Sequence, residues 1–325
     1  MLSATQRFLQ YLQVERNVSD LTLKSYREDL EALTEYLIDL YDGRIPRPAE
    51  ITTLDLNGYL SAMTEAGYAG ATIARRLASL RSFFRFGLRD GFAAENPAKP
   101  LPNPGGGRKL PHVLSTREIG LLLLAPPRAD VFGIRDRAIL ETMYSAGLRV
   151  SELVGLNIGD LRLGEGTVRV RGKGKKERNA LIGSLAAKAL KLWFPFRREV
   201  LFGQVNAIGQ SVPSQSKRRH WPTSDTPETP IFLNKFGGRL TTRSVARMIE
   251  KYLKQTDLDR RTTPHTLRHS FATHLMDNGA DITSIKELLG HKSIVTTQVY
   301  LHVSTANLKK IYEKAHPRAK AKYKL

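Results

Sequence analysis

The sequence predicts a mainly α-helical protein with two domains, the second of which combines helices with a small antiparallel β-hairpin. Most of the chain repeats its apolar residues at helical spacing. One stretch, residues 166–183, alternates residue types as a strand does and turns at a Gly/Lys-rich tip. A proline- and glycine-rich segment separates the two regions, and 325 residues suffice for a core on each side of it.

The first 95 residues predict a domain of four helices. FLQYLQVE, close to the start, has apolar residues at helical spacing, and three longer amphipathic segments follow it. These segments are residues 21–41, 51–67 and 71–91.

Arginines cluster on the last of these helices. Arg81, Arg85 and Arg89 recur every four residues and therefore share a face, with Arg75 and Arg76 a turn or more earlier. Such a face is either solvated or directed at phosphates or a groove. Because the domain is otherwise close to neutral, the pattern favours the second interpretation, and we take these five arginines as candidate DNA contacts.

The segment ENPAKPLPNPGGGRKLP holds five prolines and three consecutive glycines, which cannot continue a helix. We interpret residues 96–111 as a linker. The charge balance changes there: residues 1–100 carry 12 basic and 13 acidic side chains, and residues 101–325 carry 39 and 18. A strongly basic body suggests a polyanionic partner, most often nucleic acid, rather than a merely soluble basic protein.

The second domain, residues 112–325, begins with a capping-box pattern formed by Ser115 and Glu118 ahead of an apolar run. Residues 202–230 are polar, contain prolines and lack a clear period, so we interpret them as a long surface loop. Helical patterns occupy most of the remainder, and residues 304–325 predict a C-terminal helix with a basic tail. The predicted helices are 134–146, 150–156, a helical stretch from 184 onward, 242–255, 264–278, 281–289, 293–300 and 304–315.

Composition excludes several broad classes. The chain has no run of 18 apolar residues, and its first 30 residues lack the basic and apolar regions of a secretory signal. It has no cysteine, which excludes a disulfide framework and a Cys-based metal site. We expect a cytoplasmic protein without a membrane partner.

Four stretches of the second domain could supply chemistry. In TTPHTLRHSFATHL, His265 and Arg268 are three residues apart on one helix face, near a helix start that suits anions. In AGLRVSELVGL, Glu152 can hold the guanidinium of Arg149. Each pattern alone is more typical of an ordinary capped helix or of a surface ion pair than of a catalytic site.

The other two stretches are a hairpin tip and an apolar segment. The tip GKGKKER contains Lys173 between two glycines, followed by three further basic residues that could track phosphates: Lys175, Lys176 and Arg178. The segment LLGHKSIVTTQVYLHV contains His291 and, nine residues later, Tyr300. A tyrosine in such an apolar segment is ordinarily a packing residue.

Together these stretches resemble the signature of the tyrosine recombinases in order and local spacing. The likeness covers nearly the whole chain, as a helical core-binding (SAM-like) domain, a linker and a catalytic domain. It is strongest for the bacterial Xer recombinases, and the ending IYEKAHPRAK is more similar to the C-type than to the D-type member.

The resemblance implies a role for each candidate residue. Tyr300 would attack the scissile phosphate to form a 3′-phosphotyrosyl bond, and Lys173 would protonate the leaving 5′-oxygen. Arg149 and Arg268 would stabilise charge on the phosphate in place of a metal ion. His265 would assist proton transfer, His291 would contact the phosphate, and Glu152 would orient the site. No metal or other cofactor is implied, and the sequence has no GxxxxGK[ST] loop.

The resemblance also implies partners: double-stranded DNA, a second recombinase of XerD type in a heterotetrameric synapse, and a septal DNA translocase. The site would be a dif-like sequence at which chromosome dimers are resolved before cell division. The segment around 304–315 would dock on a neighbouring protomer.

Two departures keep alternatives open. The segment 202–230 is longer than is typical of Xer proteins, which raises an integron- or mobile-element-type integrase. Leu301 follows the tyrosine where a small polar residue is common. A non-catalytic DNA-binding protein of the same fold is a third interpretation, although the intact set of site residues argues against it. A type IB topoisomerase shares the chemistry but should relax supercoils without synapsis.

Overall fold

The computed structural model describes residues 1–104, 112–172, 177–201, 225–290 and 305–320. The chain divides into two compact units, Met1–Leu110 and Pro111–Leu325. The predicted fold class, mainly helical with one small antiparallel sheet in the second part, is confirmed. No helix in the described ranges is both long and apolar enough to cross a membrane.

The first unit contains four α-helices, close to the four segments predicted. They are α1 (Leu2–Val14), α2 (Asp20–Leu40), α3 (Thr53–Glu65) and α4 (Gly70–Asp90). Their apolar faces enclose one core that includes Phe8, Leu33, Leu77 and Phe83, all fully buried.

Local signals explain where these helices begin and end. The Ser19 hydroxyl accepts from the Thr22 amide at the start of α2, and Thr52 and Asp55 form a reciprocal capping box at the start of α3. Gly91 ends α4 in the left-handed conformation that glycine adopts without a Cβ penalty.

The first part of the proline-rich segment lies against the first unit. Ala98 and Leu101 are buried in its core, although the composition of the segment predicted a linker. Arg81 on α4 donates hydrogen bonds to the carbonyl oxygens of both residues. Asn96 donates to the Arg81 carbonyl at 3.0 Å, so residues 96–101 are fixed to α4 from both directions.

The second unit contains eight helices and three strands in its described ranges. The helices are α5 (Thr116–Leu124), α6 (Val131–Ser145), α7 (Val150–Val154), α8 (Ser184–Leu201), α9 (Thr242–Thr256), α10 (Pro264–Asp277), α11 (Ile282–Leu289) and α12 (Thr305–Ala315). The strands are β1 (Leu161–Arg162), β2 (Thr167–Arg171) and β3 (Glu177–Leu181). The helix predicted over residues 293–300 lies outside the described residues.

The three strands form an antiparallel sheet in the order β1-β2-β3. Val170 pairs with Arg178, and Arg171 pairs with Glu177. Directly paired residues point to the same face of a sheet. Because Val170 is fully buried, Arg178 faces the interior, whereas Arg171 and Glu177 face outward.

The end of the predicted 202–230 loop packs on the second unit, while residues 202–224 lie outside the described ranges. The indole of Trp193 on α8 donates to the Ile231 carbonyl at 2.9 Å. One turn later, the fully buried Arg197 pairs with Asp225 and donates to the Pro230 carbonyl at 2.8 Å. Two buried side chains of one helix therefore hold the returning chain.

The residues that follow α12 are buried in the second unit. Tyr312 and Ala315 of the helix, and His316 after it, are each less than 5% exposed. The Arg318 guanidinium forms a buried ion pair with Glu141 on α6. Residues 315–319 of the predicted basic tail are therefore part of the core, whereas Lys320 is exposed.

Candidate active site

The second unit gathers three arginines around one buried carboxylate. Glu152 is the third residue of α7 and only 5% exposed. Its Oε2 accepts from the backbone amide of Arg149 at 2.9 Å, and its Oε1 accepts from Arg149 Nη1 at 2.7 Å. The same carboxylate thus caps α7 and fixes the direction of the first guanidinium.

Arg268 brings the second guanidinium to this carboxylate from α10. Its Nη1 lies 3.7 Å from Glu152 Oε2 and donates to the Gly147 carbonyl, while its Nη2 donates to the Leu289 carbonyl at 2.6 Å. The pKa of Arg268 is lowered to about 10, chiefly by burial and then by the charge of Arg149, while Glu152 opposes the shift. The guanidinium remains charged at neutral pH because this pKa is well above 7.

A glycine permits the close approach on which this arrangement depends. Gly147 has a φ of +56°, a backbone conformation that residues with a Cβ rarely adopt. A Cβ there would lie 2.6 Å from the ring of Phe271, one helical turn beyond Arg268. The turn that precedes Arg149 can therefore lie against α10 only if this position has no side chain.

The third guanidinium belongs to Arg178 of β3. Its Nη2 donates to Glu152 Oε2 at 3.2 Å, and its side chain is 17% exposed. Burial lowers the pKa of Arg178, and Glu152 opposes that shift. The sequence indicated Arg178 as a phosphate-tracking residue of the hairpin tip, whereas its side chain points inward to the carboxylate.

Three guanidiniums around one carboxylate leave an excess of positive charge. Arg149 has the most exposed side chain of the three, at 38%, and can meet an anion from solvent. Planar guanidiniums bind phosphate oxygens in pairs and keep their positive charge at neutral pH. Within this cluster, Arg149 and Arg268 are suited to hold a phosphodiester and to stabilise charge that develops on its oxygens.

His265 lies in the first turn of α10, one turn before Arg268, and its ring is exposed. Thr263 caps this helix by accepting from the Thr266 amide, and Pro264 occupies its first position, as the sequence predicted.

Five of the predicted site residues lie outside the described ranges. They are Lys173, Lys175, Lys176, His291 and Tyr300. The described chain stops at Gly172 and resumes at Glu177, which precedes Arg178, and it stops again at Gly290. Gly290 lies next to the Arg178 side chain.

Four of the five arginines of α4 have partners within the first unit. Arg75 and Arg76 approach the buried Asp29 of α2, at 2.5 and 3.7 Å, and Arg81 binds the carbonyls already described. Arg89 pairs with Glu15 at 3.2 Å. Arg85 is exposed, so its side chain is the most available of the five for an external partner.

A second basic helix face escaped the sequence analysis. Arg243, Arg247, Lys251 and Lys254 of α9 are all exposed, and the first three recur every four residues. The same spacing drew attention to α4, so the signal was present in the sequence.

Comparison with known proteins covers nearly the whole chain. The profile of the phage integrase family matches residues 112–307, and that of the phage integrase N-terminal SAM-like domain matches residues 5–91. Tyrosine recombinase XerC of Pelotomaculum thermopropionicum is 40% identical over 319 residues, which are 96% of this chain and 97% of that protein. Tyrosine recombinase XerD of Halalkalibacterium halodurans is 37% identical and covers 97% of each.

Solved structures share the fold. The XerH site-specific recombinase bound to a palindromic difH substrate is 22% identical, with a TM-score of 0.64 over 95% of this chain and 80% of that one. A lambda integrase fragment bound to a core site is 18% identical, with the same TM-score over 100% and 99%. With the family profiles and the XerC and XerD relatives, this likeness places the chain in the phage integrase family of tyrosine recombinases, which makes it a site-specific DNA recombinase.

Proposed function

We propose that this recombinase resolves chromosome dimers at a dif-like site, together with a XerD-type partner, during chromosome segregation. The observation that carries the catalytic part is the cluster of Arg149, Arg268 and Glu152, which is built to receive a phosphodiester. The specific biological role rests on the relatives, since XerC and XerD proteins both match this chain over nearly its full length.

In the proposed reaction the Oη of Tyr300 attacks the scissile phosphorus as its proton is removed with the help of His265. The bond between phosphorus and the 5′-oxygen breaks, and Lys173 gives that oxygen a proton. Arg149 and Arg268, with His291, contact the non-bridging oxygens and stabilise the charge that accumulates on them. The 3′-phosphotyrosyl bond keeps the energy of the cleaved bond, so rejoining with a new 5′-hydroxyl reverses the same steps.

Residues 1–95 would be the core-binding domain, residues 96–111 the linker and residues 112–325 the catalytic domain. Arg85 on α4, the hairpin lysines Lys175 and Lys176, and the exposed basic face of α9 would contact the phosphate backbone. Such contacts position the protein on DNA, and their loss weakens binding uniformly across sequences.

The paired arrangement also rests on the relatives. Halalkalibacterium halodurans supplies both a XerC and a XerD relative of this chain, 39% and 37% identical. We propose that this chain occupies one half-site and a XerD-type protein the other, in the cytoplasm, with a septal DNA translocase controlling the complex.

The test is covalent trapping on a nicked suicide substrate that carries the dif-like site of the source genome. The expected result is a protein–DNA adduct with the wild type and none with Tyr300→Phe, at equal DNA binding. An adduct with Tyr300→Phe would refute the nucleophile. Binding without any wild-type adduct would favour a non-catalytic DNA-binding protein, and a reaction restricted to integron or transposon ends would favour a mobile-element integrase.

A further inference from the structure

Arg178 lies beside the candidate active site, but the proposed reaction gives it no role. It is the second residue of β3 and lies five residues after Lys173, on the strand that returns from the hairpin tip. The pairing with Val170 directs its side chain into the domain, while its neighbours Glu177 and Asn179 are exposed. The returning strand therefore directs one cation, Arg178, toward the interior, between two exposed neighbours.

The inward side chain is held at both ends. Its Nη2 donates to Glu152 Oε2 at 3.2 Å, the oxygen that also accepts from the Arg149 amide. Its aliphatic part lies against Gly290, where an added Cβ would be 2.6 Å from Arg178 Cδ and 2.7 Å from its Nε. Gly290 has a φ of +66° and is the last described residue before His291.

Arg178 thus joins three parts of the proposed site. It shares the Glu152 carboxylate with Arg149 and Arg268. It lies on β3, the strand that forms one side of the base of the hairpin that carries Lys173. It also packs against Gly290, the residue before His291. Its buried Nε has no hydrogen-bond partner among the described residues, so Glu152 is the acceptor that orients the guanidinium there.

We propose that Arg178 is a positioning residue that links the hairpin to the arginine cluster, so that Lys173 reaches the leaving 5′-oxygen once the phosphate is bound. The inference rests on the proposed function. In the step concerned, the Tyr300 hydroxyl loses its proton with the help of His265 and its oxygen bonds to phosphorus. The bond between phosphorus and the 5′-oxygen breaks, and the ammonium proton of Lys173 passes to the 5′-oxygen. Arg178 touches neither the phosphate nor the oxygen and acts by fixing the strand that carries the acid.

The test compares two leaving groups. One suicide substrate has the natural 5′-oxygen at the scissile bond, and the other has sulfur at that position. A thiolate leaves without a proton, because thiols are far more acidic than alcohols, so the sulfur substrate does not need a general acid. The proteins are wild type, Arg178→Met, Arg178→Lys, Lys173→Ala and the double variant Arg178→Met/Lys173→Ala. Arg162→Met, an exposed arginine on β1 of the same sheet, is the matched control for loss of charge.

We expect Arg178→Met to slow cleavage of the oxygen substrate about 10- to 100-fold, which is at most the smallest contribution of a general acid, because the acid is displaced and not removed. The sulfur substrate should reduce this defect to within about threefold, as it should for Lys173→Ala. Arg178→Lys should give an intermediate defect, since an ammonium cannot reproduce the planar contact. The double variant should be no slower than Lys173→Ala, and Arg162→Met should match the wild type.

Several outcomes would overturn the inference. An equal defect of Arg178→Met on both substrates would show that Arg178 acts on phosphate binding or on folding, and DNA affinity and thermal unfolding would separate these two. No defect on the oxygen substrate would exclude any role in the reaction. If sulfur fails to rescue Lys173→Ala while the wild type cleaves, the assignment of Lys173 is wrong. If the wild type forms no adduct on either substrate, the proposed function itself fails, and the inference fails with it.

Discussion

The Glu152 carboxylate and the Arg268 guanidinium lie 3.7 Å apart, and both are less than 10% exposed. Arg268 also donates to the carbonyls of Gly147 and Leu289, so it ties together the turn before Arg149 and the end of α11. The positive charge of the site is therefore fixed by folding, before any phosphate is present. Preorganised charge of this kind needs no rearrangement when the transition state forms.

Glu152→Gln should slow cleavage, since it removes the charge that offsets three guanidiniums. Without that charge the pKa of Arg268 should fall below its present value of about 10. An Arg268 guanidinium with a lower pKa loses more of its positive charge as the pH rises. The loss of activity in Glu152→Gln should therefore be larger at pH 9 than at pH 7. We expect about a 100- to 1000-fold loss at neutral pH, the range found when one electrostatic contact is removed from an active site.

The measurement is the rate of adduct formation on the nicked substrate at several pH values. Glu28→Gln is the matched control, because Glu28 is exposed and pairs with Lys24 one turn earlier on the surface of α2. Equal rates for Glu152→Gln and the wild type across this pH range would contradict the role given to the carboxylate.

Gly147→Ala should lower stability and activity together. Alanine would have to adopt a φ of +56° and place its Cβ against the Phe271 ring, and we expect a loss of about 2 to 4 kcal/mol in the free energy of unfolding. Urea unfolding of the variant measures the loss. Gly164→Ala is the control, because no atom lies within 4 Å of a Cβ at Gly164. Equal effects of the two substitutions would argue against the close approach at Gly147.

Local patterns in the sequence predicted much of the fold. Ser115 and Glu118 form the capping box at the start of α5, and Pro264 begins α10, because caps and first-turn prolines depend on neighbours within a few residues. The helical periodicity of residues 71–91 gave α4 within one residue at each end.

Features that depend on distant partners could not be read in this way. Arg81 lies on the predicted basic face, but its guanidinium binds the carbonyls of Ala98 and Leu101, and composition alone made those residues a linker. The inward direction of Arg178 follows from its pairing with Val170, and alternation along one strand does not say which face is buried. The order and types of the site residues could be read from the sequence. The hydrogen bond between Arg178 of β3 and Glu152 could be seen only in the three-dimensional structure.

Arg318→Met should be strongly destabilising, because it leaves Glu141 buried at 2% exposure without its cationic partner. Removing one member of a buried ion pair costs about 3 to 5 kcal/mol. Replacing both members with Glu141→Leu/Arg318→Met should recover most of this loss, since no charge then remains buried. Urea unfolding of the single and double variants gives the coupling free energy, and additive losses would show that the two residues act independently.

The burial of His316 should make the second unit less stable as the pH falls below neutral. The ring stacks on Tyr312 at 4.8 Å, contacts Tyr144 and Phe271, and accepts from the Arg318 amide through Nδ1 at 3.1 Å. Burial lowers the pKa of His316 to about 3, with smaller contributions in the same direction from the charges of His274 and Arg318, and the Tyr144 carbonyl opposes them. Burial also lowers the pKa of His274, which accepts from or donates to the Tyr144 hydroxyl at 2.8 Å.

A histidine whose pKa is lower in the folded state than in the unfolded chain binds its proton preferentially in the unfolded chain. Its contribution to stability is therefore complete above the ordinary pKa of 6.5 and decreases as the pH falls from there toward about 3. The slope for each such group approaches about 1.4 kcal/mol per pH unit. His316→Asn keeps an acceptor for the Arg318 amide but cannot titrate, so its free energy of unfolding should change less between pH 6.5 and pH 5 than that of the wild type. The exposed His269 provides the control, since His269→Asn should keep the wild-type slope; an unchanged slope in His316→Asn would mean that protonation of His316 does not limit acid stability.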